Sequence, residues 1–262
     1  MTLATLFLLL AIGAAAGGVG ALAGIGGGII ITPLLAIYFG LPMHQAIGVT
    51  LVCVIATSTA TSSLYVERHI TDVRLGMTLE LATTLGAMVA AMLAQHINRR
   101  TLALLFACFL LYTAVSLFNK ARSSWKQQKQ DSIPDYTVQN YPLGLGAALI
   151  AGGFSGLLGI GGGPIKVPVM LLFMKVPLRV ATATSNFMIG VTAATSAYVY
   201  WGRGDVNLAI AAPLVAGVFT GSLVGARFSG RLRPVYILSL LVGVTGWLAI
   251  QMIYKLLAGG FR

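Results

Sequence analysis

Two glycine-rich pentapeptides are the segments of this sequence best suited to bind an ion. Gly24–Gly28 reads GIGGG, and Gly159–Gly163 repeats those letters. An apolar run follows each, which predicts a helix that begins at the glycines. The first amides of a helix have no internal partner and carry partial positive charge, so they bind anions. The candidate anion-binding residues are the last three glycines of each segment: Gly26, Gly27 and Gly28, and Gly161, Gly162 and Gly163.

Close helix packing is the competing interpretation of these glycines, because small residues let membrane helices approach one another. A broken helix is favoured because glycine weakens a helix interior. Pro33 and Pro168 also follow the two GGG runs at the same distance, and Pro164 suits the first position of a helix. Irregular backbone inside a membrane must lie against protein or a wet cavity, so both segments are expected to be internal.

One lysine and one glutamate fall inside predicted membrane segments. Lys166 lies three residues after the second GGG run, and an ammonium there is costly unless it is paired or hydrated. It is a candidate to complete the anion site, and snorkelling to the membrane surface is the alternative. Glu80 is the candidate for ion coupling, since membrane carboxylates carry protons in transporters. Its alternative is a position at the interface near Arg74.

A polar helix follows each glycine segment. Thr50 and Ser185 occupy equivalent places in the two helices, and Asn186 adjoins Ser185. Hydroxyl and amide groups can donate hydrogen bonds to an oxyanion without bringing charge into the bilayer, so these three are predicted to line the site. The other Ser and Thr residues of these helices are expected to bond their own backbone one turn back.

Other kinds of chemistry lack their motifs. GIGGGPIK does not have the spacing or the GK[ST] ending of a nucleotide-binding P-loop. No His and carboxylate have metal-ligand spacing, and no nucleophile stands beside a base. We therefore predict no catalytic residue, no metal and no cofactor. The net charge of +11 does not indicate nucleic-acid binding, because the basic residues stand at helix ends and in loops.

The elements that must position these residues are membrane helices. Hydrophobic residues make up 57% of the chain and charged residues only 9%, against about 25% charged in a soluble domain. Apolar segments near the length that crosses a bilayer recur along the chain. The predicted long helices are residues 3–22, 45–66, 75–96, 101–118, 141–157, 180–201, 206–228 and 234–257, and the short ones are 29–39 and 164–174.

The chain is an internal duplication. A constant shift of 135 residues aligns the two GIGGG segments, and it also pairs Pro33 with Pro168 and Tyr65 with Tyr200. The repeats are predicted at 1–118 and 142–262, joined by a charged linker at 119–141. The expected fold is an all-α polytopic membrane protein with two inverted-topology repeats. Each repeat has a glycine-broken re-entrant helix pair and three further transmembrane helices.

Charge predicts the orientation. If each short helix folds back, eleven of the 17 Lys and Arg residues lie on the linker side, five lie on the other, and Lys166 lies within the membrane. The side richer in basic residues is cytoplasmic by the positive-inside rule. The linker is therefore predicted to be cytoplasmic and both termini periplasmic, as inverted repeats require.

The duplicated segments GIGGGIIITP and GIGGGPIKVP resemble the sulfite exporter TauE/SafE family of membrane permeases, as do AIGVTLVCVIATS and VATATSNFMIGVTAA. The resemblance covers nearly the whole chain. It implies movement of small sulfur-containing anions, such as sulfite, thiosulfate or sulfonates, across the bacterial inner membrane without ATP hydrolysis. Lys166 has no basic counterpart in the first repeat, so the two turns are unequal.

The resulting hypothesis is a secondary transporter, with no enzymatic activity, that moves a small oxyanion through the lipid bilayer by alternating access. An anion channel is one alternative. A membrane scaffold or sulfur-relay partner is another, in which Cys53 and Cys108 would act. The sequence leaves open which oxyanion is moved, in which direction, and whether a proton or sodium ion is coupled.

Overall fold

The computed structural model describes residues 3–124, 136–229 and 234–258, and these form ten α-helices. In chain order they are α1 Leu3–Ala23, α2 Gly28–Tyr38, α3 Met43–Glu67, α4 Val73–Ala94, α5 Arg99–Ser124, α6 Tyr141–Leu158, α7 Gly163–Leu172, α8 Leu178–Gly202, α9 Leu208–Phe228 and α10 Pro234–Leu257.

Eight long helices and two short ones confirm the predicted set. Seven of the long helices are apolar enough to cross a membrane. The eighth, α8, is 25 residues long but is more polar. The fifth helix continues to Ser124, so it includes the first residues of the predicted linker. The central part of that linker, 125–135, lies outside the described residues.

The duplication extends to backbone conformation. Five pairs of residues separated by 135 positions share a positive φ between 55° and 76°: Gly24 and Gly159, Gly26 and Gly161, Gly27 and Gly162, Gly40 and Lys175, His69 and Gly204. In the last two pairs one member is not glycine. Left-handed backbone is costly for residues other than glycine. The two repeats therefore share the same backbone conformation even where their residue types differ.

Helices from the two repeats interleave. The first helix packs along α9, and the equivalent helix of the second repeat, α6, packs along α4. Gly13 and Gly17 of α1 lie against the backbone of Leu214 and Val218 of α9, so the two helices run in the same direction. The contact between α4 and α6 is also a glycine seam, meaning that glycines allow the two backbones to touch: Gly152 of α6 lies directly against the carbonyl of Thr83.

The two equivalent helices α3 and α8 cross at the centre of the molecule. The hydroxyl of Ser58 donates to the carbonyl of Asn186 at 2.5 Å, and Gly48 lies against the backbone of Asp205. Residues early in α3 therefore meet residues that follow α8, which means that the two helices run in opposite directions. Their polar side chains are buried here, whereas most of the exposed large side chains on the other helices are apolar.

The glycine seam between α4 and α6 can be tested with neighbouring glycines of one helix. Gly152→Ala would place its Cβ onto the carbonyl oxygen of Thr83, whereas a Cβ on Gly153 has nothing within 4 Å. Alanine favours a helix over glycine by about 1 kcal/mol, and overpacking costs about 1–3 kcal/mol. Gly153→Ala should therefore leave the unfolding temperature in detergent unchanged or raise it, and Gly152→Ala should lower it. Equal unfolding temperatures would contradict the seam.

Candidate anion site at the glycine turns

Each GIGGG segment is a break between two helices, as predicted. In the first, the amides of Gly24 and Ile25 both donate to the carbonyl of Gly20 at 3.1 Å, which ends α1. Gly27 then adopts φ 74° and ψ −12°, and α2 begins at the next residue. The second segment repeats this, with Gly162 at φ 75° and ψ −3° before α7. Only glycine occupies this left-handed region without strain.

The two turns touch each other. A Cβ built on Gly28 would lie 2.6 Å from the carbonyl oxygen of Gly159, and one on Gly163 would overlap the carbonyl oxygen of Gly24. All ten residues of the two segments are buried. Val54 and Ile189, which are equivalent under the repeat, each pack against both turns, at Gly26 and at Gly161. The structure thus brings the two predicted glycine sites into a single internal location.

Most of the backbone amides at this location are not used by the fold. The N–H groups of the last three residues in each segment make no hydrogen bond to any residue that the structure describes. Buried amides without partners are rare in proteins, and in an apolar interior each costs free energy. Within the described part of the chain, these buried amide donors therefore have no acceptor.

Lys166 lies beside the second turn and is paired. Its Nζ atom is 3.3 Å from Oε2 of Glu80, and it donates to the hydroxyl oxygen of Thr192 at 3.0 Å. Its Cε atom would be 3.3 Å from a Cβ built on Gly162. Lys166 is only 2% exposed and Glu80 only 5%. The snorkelling alternative for Lys166 is therefore wrong, and so is the interfacial alternative for Glu80.

Thr192 contacts both Lys166 and Glu80. From the sequence, we expected it only to bond the backbone of its own helix. Its hydroxyl does lie 3.2 Å from the carbonyl of Met188, but it also lies 2.5 Å from Oε1 of Glu80. Thr84 donates to the same carboxylate oxygen at 3.3 Å. The polar spacing within α8 did not reveal the contact of Thr192 with Glu80, because Glu80 lies on α4, which belongs to the other repeat.

The first glycine turn has no such charged group beside it in the part of the chain that the structure describes. The positions equivalent to Lys166, Thr192 and Glu80 hold Ile31, Thr57 and Val215. Thr57 donates to the carbonyl of Cys53 in its own helix. The backbone of the two turns is thus symmetric, whereas the charge beside them belongs to the second turn alone.

The three polar residues that were predicted to line the site have their donors engaged by the protein. Ser185 donates to the carbonyl of Gly24 at 3.2 Å, and Nδ2 of Asn186 donates to the carbonyl of Ala21 at 3.1 Å. Thr50 donates to the carbonyl of Ala46 at 2.7 Å. Ser185 and Asn186 therefore fix the end of α1 and the start of the first turn.

Comparison with known proteins identifies the family of the chain. Residues 9–252 match the sequence profile of the family described as Sulfite exporter TauE/SafE. The chain belongs to this family. No solved structure matches the chain. Among the described residues there is no group of three His, Cys, Asp or Glu side chains that could hold a metal ion.

Relatives within the TauE/SafE family span the chain. The Bacillus subtilis protein named "Probable membrane transporter protein YunE" is 29% identical, over 95% of this chain and 97% of its own length. A "Probable membrane transporter protein" of Methanocaldococcus jannaschii is 25% identical over 94% of each chain. A protein of that name from Haemophilus influenzae is 24% identical over 96% of this chain and 97% of its own.

The buried ion pair predicts strong coupling between its two members. Removing one partner of such a pair costs about 3–5 kcal/mol, because the other charge stays buried and unpaired, whereas replacing both is often nearly neutral. Lys166→Met and Glu80→Gln should each lower the free energy of unfolding by about that amount, and the double variant should unfold close to wild type. Denaturant unfolding in detergent micelles measures this cycle. Additive losses would contradict the pairing.

Proposed function

We propose that this protein is a secondary transporter of a small sulfur-containing oxyanion, such as sulfite, thiosulfate or an organosulfonate. The observation that carries the proposal is the convergence of two glycine turns whose buried amides lack partners in the described chain. The family's printed description, which names sulfite export, supports the choice of anion. The names of the relatives support transport.

The amides of Gly26 to Gly28 and of Gly161 to Gly163 would replace part of the hydration shell of the anion. Backbone donors suit an oxyanion because they add partial positive charge without a mobile side chain. Lys166 would supply the single full positive charge at the site. Ser185 and Asn186 would act by holding the first turn in place, and Thr50 would support α3 beside it.

We further propose that the repeats have inverted topology, with each glycine turn at the tip of a re-entrant helix pair. The opposite directions of α3 and α8 support this, because they are equivalent helices of the two repeats. The excess of basic residues on the linker side supports a cytoplasmic linker and periplasmic termini in the bacterial inner membrane.

Alternating access would follow from movement of two bodies about the turns. The interleaved packing assigns α9 to the body that contains α1, α2 and α3, and it assigns α4 to the body that contains α6, α7 and α8. The bodies meet mainly along α3 and α8, so that contact is where we place the change between outward-open and inward-open states.

Transport of sulfur anions is tested directly in proteoliposomes. Influx of sulfite, thiosulfate and sulfoacetate should exceed that of phosphate, and the labelled anion should exchange with unlabelled anion inside the vesicles. Exchange at carrier rates separates a transporter from a channel. Vesicles that move none of the sulfur anions faster than protein-free liposomes would contradict the proposed function.

The amide site is tested by adding a methyl group to one turn. Gly26→Ala places a Cβ 3.2 Å from Val54 and Ile189 and strains a residue at φ 75°. Losing one hydrogen bond to a charged group costs about 2 kcal/mol, so the half-saturating anion concentration should rise about tenfold or more.

Gly40→Ala is the matched control for backbone strain. Gly40 has φ 65°, lies away from the turns, and has nothing within 4 Å of an added Cβ. The Gly40→Ala variant should lose about as much stability as Gly26→Ala, because both strain a left-handed residue. It should keep the wild-type half-saturating anion concentration. Equal effects of the two variants on anion affinity would remove the support for an amide site.

A further inference from the structure

We propose that the transported anion competes with Glu80 for Lys166, and that Glu80 takes up a proton when the anion binds. On this proposal, which rests on the proposed transport function, anion and proton cross the membrane together. The proton is therefore the coupled ion, and Glu80 is its carrier.

The first observation is that Glu80 pairs with the ammonium group whose side chain lies beside the second turn. Lys166 extends alongside Gly162, whose amide and those of its neighbours lack partners in the described chain. An oxyanion on these amides would lie beside the ammonium and also beside the carboxylate, which is 3.3 Å from Nζ. A bound anion and the ionised carboxylate, both next to the same ammonium group in a buried site, repel each other strongly. One of the two negative charges must therefore be neutralised.

The second observation is the charge balance. Without substrate, Lys166 and Glu80 together are neutral. When a monovalent anion binds, an O–H bond forms on the Glu80 carboxylate with a proton taken from water on that side of the membrane. The ammonium, the anion and the neutral acid then also sum to zero. On the other side the O–H bond breaks, the proton leaves with the anion, and Glu80 pairs with Lys166 again.

The third observation is that, among the described residues, Lys166 is the titratable group that contacts the Glu80 carboxylate. From the helices packed against α4, Lys166 of α7 and the hydroxyl of Thr192 of α8 contact its carboxylate, and Thr84 contacts it from α4 itself. Among the described residues, Arg74 on α4, Tyr141 on α6, and Tyr198 and Tyr200 on α8 make no hydrogen bond or ion pair with it. A single proton site is therefore expected in each cycle.

The hydroxyl of Thr192 links the two charges. It accepts a hydrogen bond from Lys166, and it lies at donor distance from Glu80. The ammonium has three N–H donors, of which Glu80 and Thr192 accept two. Protonation of Glu80 would release one of these donors, and an arriving anion could accept it without displacing Thr192.

The experiment uses full-length protein in proteoliposomes that contain a fluorescent pH indicator. Methanesulfonate and thiosulfate serve as probes, because neither takes up a proton near neutral pH. For wild type, methanesulfonate influx should acidify the interior. A gradient of one pH unit, acid outside, should drive about tenfold accumulation if one proton moves with each anion. Methanesulfonate influx should be insensitive to an imposed membrane potential, because one proton balances its single negative charge.

Glu80→Gln should lose the acidification and the response to the pH gradient. Its empty site would carry the unpaired charge of Lys166, so anion influx should become sensitive to voltage and faster with a positive interior. Thr192→Val provides a milder change that keeps both charges. It removes a donor to the carboxylate, so the pH of half-maximal influx should shift upward. Thr57→Val, at the equivalent position of the first repeat, removes only a bond within its own helix and should leave that pH unchanged.

The outcomes separate the two proposals. Wild-type influx without acidification, or influx driven by a sodium gradient in place of a pH gradient, would overturn proton coupling and leave the transport function standing. Absence of influx of either probe and of sulfite would overturn the transport function itself. If Glu80→Gln does not reach the membrane in folded form, the wild-type gradients and the Thr192→Val and Thr57→Val pair still decide the question.

Discussion

The requirement that a backbone amide in an apolar interior find an acceptor governs this structure. Helices meet that requirement everywhere except at their first turns, and here two first turns are placed face to face in the core. Glycine allows the left-handed backbone that brings them together. Their amides have no partner among the described residues, which costs free energy, and a bound anion would recover it.

The rest of the fold holds these two turns in place from both repeats. The end of α1 is fixed by Ser185 and Asn186 of α8, which belong to the other repeat. Tyr65 and Tyr200, equivalent under the repeat, donate to carbonyls near the ends of α1 and α6 at 3.4 Å. The glycine seams of α1 with α9 and of α4 with α6 then allow close backbone contact between repeats. Neither turn could keep its position if its own repeat were alone.

Symmetry of the backbone coexists with asymmetry of charge. The positions equivalent to Lys166 and Glu80 hold Ile31 and Val215, so the ion pair has no counterpart beside the first turn. A different lysine contacts α2, the helix that follows the first turn. Nζ of Lys255 donates to the carbonyls of Ala36 and Ile37 at 2.8 and 2.9 Å. These are unpaired acceptors at the end of α2, so Lys255 serves as a cap for that short helix. Both lysines belong to the second repeat: Lys166 lies beside the second turn, and Lys255 caps the helix that follows the first turn.

The sequence by itself determined the helices, the two breaks and the duplication. Apolar length and glycine runs are local properties, and a constant offset of 135 residues is visible in the letters. The tertiary structure decided which residues meet. Glu80 and Lys166 stand 86 positions apart, on helices of different repeats, and no periodicity within either helix encodes their contact. The same holds for Ser185 and Asn186, whose types suggested an anion lining but which donate hydrogen bonds to Gly24 of the first turn and to Ala21 of α1. Hydrogen-bond partners are set by distance in space, and interleaved packing brings distant parts of the chain within that distance.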